Sequence, residues 1–595
     1  MDYFTKTLEK AESYFLAGRL EDAETEYLMV LQTNPTHAQT LYSLGIIAHR
    51  RGNLKSAIDL VSQAIDSRGK LPKFHNTLGL LYEEAGQSEK AMRCYQKAVD
   101  LKPDYAEALH NIAILQLISG DFKSAAQNAK KALTAAPAFA EAYNTLGYCL
   151  QQLAILRDAA ICYKKAIELK PDYAEAYNHL GVLLSDQSNF IEAVDAFKKA
   201  IAIDPEYIEP YNNMAIAKKA LCAFDEAAEY YRKVVQMDPA FFEAHCNLAN
   251  SLRDKGCLEE AVKHYDKAVE INPNYVKARW NRALTLLMNG DLAEGFKQYA
   301  WRREPSLGIV TYPHKYDKPR WDGRPVNGKT ILVHYEQGFG DNIQFIRYLP
   351  KLKQLGAKVL FEARTPMVDL LKGFAGIDKL IEAKANQAVS GDFDFYAALM
   401  DLPAIFETSL NTIPADVPYI FADKERSEKF KKIISTGDYK VGIVWAGKPT
   451  QEYIADRSCK LSNFENLTKI DEIKLYSLQK GDAAKQLCQF TQIENLGPHL
   501  ESFADTAAAI DNLDLVISID TSVLHLSAAM AKPTWGLLTK TPDWRWMLDR
   551  NDSPWYPTVK LFRQKKYADW KHIFQQVTEE LSGLVPPQKK RPNYE

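Results

Sequence analysis

The chain has 595 residues, 46% of them hydrophobic and 25% charged. That is an ordinary globular composition, but too long for a single core, so several domains are expected. A formal net charge of -2 excludes a global drive towards nucleic acid or anionic membrane, and eight cysteines without a CxxC pair exclude a disulfide framework or a zinc ribbon. No apolar run reaches the roughly 18 residues that a membrane helix needs. The opening segment MDYFTKTLEKAESYF lacks the apolar core of a signal peptide, so the expected location is cytoplasmic.

The first half repeats itself every 34 residues. Gly45, Gly79, Ala113, Gly147, Gly181, Ala215, Ala249 and Ala283 form one register of small residues. Ala57, Ala91, Ala125, Ala159, Ala193, Ala227 and Ala261 form a second, closed by Gly295. Aromatic rings recur at Tyr27, Tyr95, Tyr163, Phe197, Tyr231, Tyr265 and Tyr299, and a proline closes most units. Small residues let two helices approach, the ring fills the gap behind them, and proline stops the second helix. One such pair cannot bury its apolar face alone, so the units must stack. The period and residue set resemble the tetratricopeptide repeat, with eight clear units and a degenerate ninth at the N-terminus. The array is therefore expected to be an α-solenoid superhelix over 4–303.

The first helix of many units carries an amide near the small residue, at Asn76, Asn111, Asn144, Asn178, Asn213, Asn247 and Asn281. Asparagine donates and accepts at once, which suits the backbone of an extended polypeptide. O-GlcNAc transferase, which the array resembles, uses such a ladder, and the resemblance implies that these residues bind an acceptor. Ordinary polar positions on a helix face are the alternative. In the last unit Arg302 stands where alanine is expected. A Pro- and Gly-rich stretch without helical period then marks a linker over 304–328.

Short apolar runs next alternate with helical stretches. Strands are expected at Thr330–Tyr335, Lys358–Ala363, Lys379–Glu382, Asp394–Leu399 and Tyr419–Phe421. A second set falls at Tyr439–Trp445, Lys474–Leu478, Leu513–Ile519, Thr534–Leu538 and Val559–Phe562. Continuous apolar strands point to parallel sheets covered on both faces, in two doubly wound lobes over 329–425 and 426–584. The basic tail 585–595 is expected to be disordered.

The strand ends carry the chemistry. HYEQGFGDNIQF, from His334, closes the first strand and opens a helix. It satisfies neither the dinucleotide fingerprint nor the P-loop. Gly338 and Gly340 would let a substrate approach the backbone, and Asp341 in the first helical turn is a candidate general base. Three further strand ends bring Lys448 with Arg457 and Ser458, Gln479 with Lys480, and Asp520 with Thr521, Ser522 and His525. Cations, hydroxyls and a helix start at adjacent strand ends make a phosphate site.

These segments, with VGIVWAGKP and DLVISIDTSVLHLSAAMAKPTW, resemble bacterial tetratricopeptide-repeat glycosyltransferases. Those are related to heptosyltransferases and more remotely to O-GlcNAc transferase. The resemblance implies a GT-B fold and inverting, metal-independent transfer from a nucleotide-sugar substrate, without a cofactor. It places the base on Asp341 and donor contacts on Asp520, Thr521 and His525; Ser522 departs from the family's glycine. His334 is expected beside Asp341 among the catalytic residues, and His334 and Gln337 are expected to line the sugar pocket. Flagellin glycosyltransferases share the array, which makes flagellin one acceptor candidate. A repeat scaffold or export chaperone with a vestigial transferase half is one alternative, and a glycan or lipopolysaccharide acceptor another. Asp392 and Asp394 mimic a metal motif inside a strand-like run, Trp544, Trp546 and Trp555 are read as packing or stacking residues, and Arg545 is a weaker candidate for contacting an acidic donor group.

Overall fold

The computed structural model describes residues 3–67, 70–309, 312, 316–384, 387–434, 438–447 and 457–584. Lys448 and the basic tail lie outside the described residues. The chain forms two compact units, Met1–Ala217 and Lys218–Glu595. The repeat pattern runs on to residue 303, so the last repeats share the second unit with the α/β lobes.

The solenoid comprises eighteen described helices in antiparallel pairs, from Tyr3–Leu16 to Leu292–Gln298. The alanine register is fully buried, at 0% exposure from Ala23 to Ala261. The rings do fill the space behind the glycines. A Cβ on Gly79, Gly147 or Gly181 would meet Tyr95, Tyr163 or Phe197 at 2.4, 2.7 and 2.5 Å. Between the two helices of each pair one residue turns left-handed. Gly52, Gly86 and Gly120 hold that place in three repeats, while Ala154 and Ser188 carry φ of 60° and 62° in the next two. An L-residue there is strained by about 1–2 kcal/mol, against a chain-entropy cost of ~0.4–1 for glycine. Ala154→Gly is therefore expected to raise stability by about 0.5–1 kcal/mol in urea unfolding, and Gly120→Ala to lower it comparably.

The second unit holds two parallel sheets. The first contains β1 (Thr330–His334), β2 (Lys358–Ala363), β3 (Lys379–Glu382) and β4 (Phe395–Ala398), in the order β3-β2-β1-β4. The second contains β5 (Tyr439–Val444), β6 (Ile473–Ser477), β7 (Glu494–Asn495), β8 (Leu515–Ile519), β9 (Thr534–Leu538) and β10 (Val559–Arg563), in the order β10-β9-β8-β5-β6-β7. That is the doubly wound order, and it reverses between β5 and β8, where open parallel sheets open a crevice at the carboxyl ends of their strands. The architecture is thus an α-solenoid followed by an α/β GT-B pair of lobes.

Nine expected strands are present. The tenth, Tyr419–Phe421, is not a strand: Phe421 is exposed, and the amides of Tyr419 and Ile420 donate to the Ala529 carbonyl at 3.0 and 3.4 Å. The two-residue β7 is polar and gave no apolar signal. At the amino ends of strands, aspartates accept amides: Asp378 from Val359, Asp394 from Thr330 and Asp514 from Lys440, at 2.7–2.8 Å. Asp394 of the metal-like pair is consumed in this way, at the end of the sheet opposite the crevice. One apolar cluster joins Leu287, Phe296 and Tyr299 of the last repeat to Phe345, Trp544 and Trp555. Trp544, Trp546 and Trp555 are buried in that cluster as packing residues, one of the two readings left open by the sequence.

Candidate functional site

The loop after β1 is clamped from several sides. Gln337 sits left-handed at φ 58°, a strain of about 1–3 kcal/mol that surrounding contacts must impose. Its side chain meets the Tyr299 hydroxyl at 3.2 Å, and its carbonyl accepts from Arg364 at 2.8 Å. Glu336, one residue earlier, receives a bidentate bond from buried Arg302 at 2.6 and 2.7 Å. Arg302 also donates to Asp401 at 2.7 Å. The arginine that interrupts the alanine register therefore anchors this loop.

The clamp aims the helix Phe339–Phe345, with Asp341 in its first turn. Asp341 Oδ2 accepts the Gly338 amide at 2.6 Å, and Oδ1 accepts from Arg545. Its side chain is 17% exposed, so it reaches solvent from a largely buried position. Burial raises its proton affinity, while the Arg545 guanidinium opposes that rise. The glycines serve packing here more than substrate approach. A Cβ on Gly340 would meet the His525 ring at 2.8 Å, and one on Gly338 would meet the Asp341 carboxylate at 2.9 Å. The bare Gly340 backbone thus lets the helix after β1 touch the helix Ser522–Ala529 of the other lobe.

That second helix follows β8. The side chain of its cap, Thr521, bonds Ser518 at 3.0 Å instead of its own helix, while the Thr521 carbonyl accepts the Leu524 amide at 3.1 Å; the amides at the very start of a helix have no intrahelical acceptor. Across the switch point, after β5, Ser458 accepts the Gly447 amide at 3.3 Å, and Arg457 stands 3.6 Å from Asp520. Burial and the Asp543 charge push Asp520 up to about 6, against Arg457 and Arg545. His525 is held neutral by burial and by the neighbouring Arg545, Arg347 and Arg457, with Nδ1 on the Tyr556 hydroxyl at 3.0 Å. Arg457, Ser458, Asp520, Thr521 and Ser522 therefore gather at one crevice, with Asp341 next to it across the Gly340–His525 contact.

Other expected site residues are placed differently. His334 is buried, stacks on Tyr312 at 3.8 Å, and donates from Nδ1 to the Tyr335 carbonyl. Burial lowers it to about 4, so it is a neutral packing imidazole. Gln479 spends its amide on backbone: its oxygen accepts from Trp445 and Ala446, and its nitrogen donates to Ala446 and Lys480. Lys480 donates to the Leu500 carbonyl. Arg545, read from sequence only as a weaker donor contact, instead sits on Asp341.

The asparagines bond one another. Between neighbouring repeats, residues 35 apart pair: Asn76 with Asn111, Asn144 with His179 and Asn178 with Asn213, at 2.9–3.1 Å. Tyr42 with Thr77 and His110 with Thr145 continue the series at 3.0 Å. Asn144 and Asn178 also donate to Tyr173 and Tyr207. In the second unit Asn281 donates to Asn250, and Asn247 is half-buried. The amide column seen in the sequence is in large part an internal stitch between first helices. Sequence reading missed it because the partner lies one repeat and one residue away.

The fold is that of a tetratricopeptide-repeat array followed by α/β lobes, and family profiles mark the repeats and a glycosyltransferase-family domain. The profile of glycosyltransferase family 9 (heptosyltransferase) matches residues 476–578, and tetratricopeptide-repeat profiles match 8–72, 72–105, 156–188, 174–207, 208–241 and 249–290. The chain is similar to Protein FlbA of Caulobacter vibrioides (strain ATCC 19089 / CIP 103742 / CB 15), 25% identical over 296 residues, which cover 45% of this chain and 48% of FlbA. The chain thus spans about half the length of that curated relative. Among solved structures it is similar to the APC/C heterotetramer Cut9–Hcn1, at 19% identity, TM-score 0.38, and coverage of 47% of this chain and 55% of that one. It is also similar to MamA, at 30% identity, TM-score 0.26, and coverage of 28% and 97%. No described helix is long and apolar enough to cross a membrane.

Proposed function

We propose that the chain is an inverting, metal-independent glycosyltransferase that moves a sugar from a nucleotide-sugar onto a hydroxyl. The observation that supports this best is the juxtaposition of Asp341 with the crevice between β5 and β8. An acceptor hydroxyl gives its proton to Asp341. Its oxygen bonds to the anomeric carbon from the face opposite the nucleotide. The carbon–oxygen bond to phosphate breaks, and its electron pair leaves with the phosphate. Arg457, the Ser458 and Thr521 hydroxyls and the amides at Ser522 then meet the developing charge.

The proposed acceptor is Ser or Thr of a polypeptide, in the cytoplasm, with flagellin as one candidate; the support is the repeat array, a frequent protein-binding scaffold. The internal asparagine stitch removes part of that support, and the heptosyltransferase match favours a carbohydrate acceptor as the second reading.

The test is a thermal-shift panel of uridine, guanosine, adenosine and cytidine diphosphates on wild type and Arg457→Ala. One nucleotide should raise the wild-type melting temperature, with the rise reduced in the variant. Intact-mass comparison of the host proteome, with and without the gene, then separates a protein acceptor from a glycan. A panel in which no nucleotide stabilises the chain would turn the reading into that of a scaffold.

A further inference from the structure

Arg545 has no role in the transfer chemistry above, yet its guanidinium is engaged at every nitrogen. The side chain is buried. Nε donates to Gln344 at 2.8 Å, Nη1 to Asp543 at 2.7 Å and Nη2 to Asp341. Gln344 and Asp341 belong to the helix after β1, whereas Asp543 and Arg545 belong to the turn after β9. The arginine thus spans the two lobes at the candidate base.

We propose that Arg545 is the positioning residue of Asp341: its fork fixes the carboxylate's aim and supplies its counter-charge, so that the base is competent only while the two lobes are in contact. This rests on the reading of Asp341 as the base. The planar fork suits the task. Fixed at Nε and Nη1, it presents Nη2 in one direction, and Asp341 is held at Oδ1 by that nitrogen and at Oδ2 by the Gly338 amide. Each carboxylate oxygen keeps a second lone pair for an acceptor proton. The charged and titratable groups around Asp341 are Arg545 and Asp543 from the turn after β9, Tyr299 from the last repeat and Arg364 from the end of β2. Neutral His525 packs over Gly340. Asp543 repels Asp341, so Arg545 supplies the main counter-charge.

The test needs no knowledge of the donor. Asp341→Cys places a thiol at the base position, and peptide mass spectrometry follows its alkylation by iodoacetamide across pH, apart from the eight native cysteines. A thiolate beside a guanidinium forms at lower pH. Adding Arg545→Gln should shift the alkylation midpoint upwards by about one pH unit or more, and Arg545→Lys should restore most of it. Adding Asp543→Asn, at an exposed position, should shift it downwards, and it serves should the glutamine variant fail to fold. Midpoints unmoved in the folded variants would overturn the proposal. The base reading fails separately, if Asp341→Asn leaves the transferred mass on the acceptor.

Discussion

Turnover of the Asp341→Asn chain should fall about 10²–10⁴-fold, the usual worth of a positioned general base, while stabilisation by the nucleotide diphosphate is kept. The two effects separate because the carboxylate and the phosphate crevice stand on different lobes: Asp341 follows β1, whereas Arg457 and Thr521 follow β5 and β8. The substitution has a structural cost as well. The carboxylate accepts the Gly338 amide on one oxygen and Arg545 on the other. An asparagine has one oxygen to offer, so its NH₂ must face a donor on the other side. That misfit is worth about 1–3 kcal/mol, and Asp543 still pairs Arg545. Rates should therefore be read well below the variant's melting temperature, with the nucleotide-induced shift as proof of a folded site. Wild-type turnover in the folded variant would remove Asp341 from the chemistry and leave the crevice as a binding site.

The repeats were legible because one packing problem recurs: alanine against alanine, with a ring behind glycine, every 34 residues. The central strands β1, β2, β5, β8 and β9 were legible because they are buried on both faces and so read as unbroken apolar runs. Of the strand-end residues, Arg457, Ser458, Asp520 and Thr521 lie near one another, because such positions are local in sequence, whereas Gln479 and Lys480 are spent on backbone. What the sequence hides is long-range pairing. Arg302 was visible only as a departure from alanine, and nothing local names Glu336 and Asp401 as its partners. Arg545 and Asp341 lie 204 residues apart. Gln479 looked like a donor contact because it follows a strand, but its amide closes the backbone between β5 and β6. Polar residues of one kind serve as ligands or as stitches, and only their partners distinguish the two.

Arg302→Met should be the most destabilising single change, costing about 3–5 kcal/mol of the second unit's unfolding free energy, the range for a buried ion pair that loses one partner. Arg302 is 1% exposed and neutralises both Glu336 and Asp401, themselves buried. Arg303 contacts Asp401 at 2.6 Å and would keep that charge paired. Glu336 has no such second cation at hydrogen-bond distance among the described residues. Burial already raises its proton affinity, with Arg302 as the opposing influence; without the arginine it must protonate or draw in water. The same change frees the loop that holds Gln337 left-handed, so Asp341 loses its aim and turnover falls with stability. A double variant tells charge from packing: Arg302→Met with Glu336→Leu replaces the pair by apolar side chains and should recover a large part of the loss. Equilibrium urea unfolding of the two variants and wild type decides it. A single variant within about 1 kcal/mol of wild type would mean that the ion pair contributes little, because a surface-like salt bridge is worth only that much. A double variant that recovers stability but not turnover would show that the contact between the last repeat and the Glu336 loop sets the geometry of the base as well as the stability of the fold.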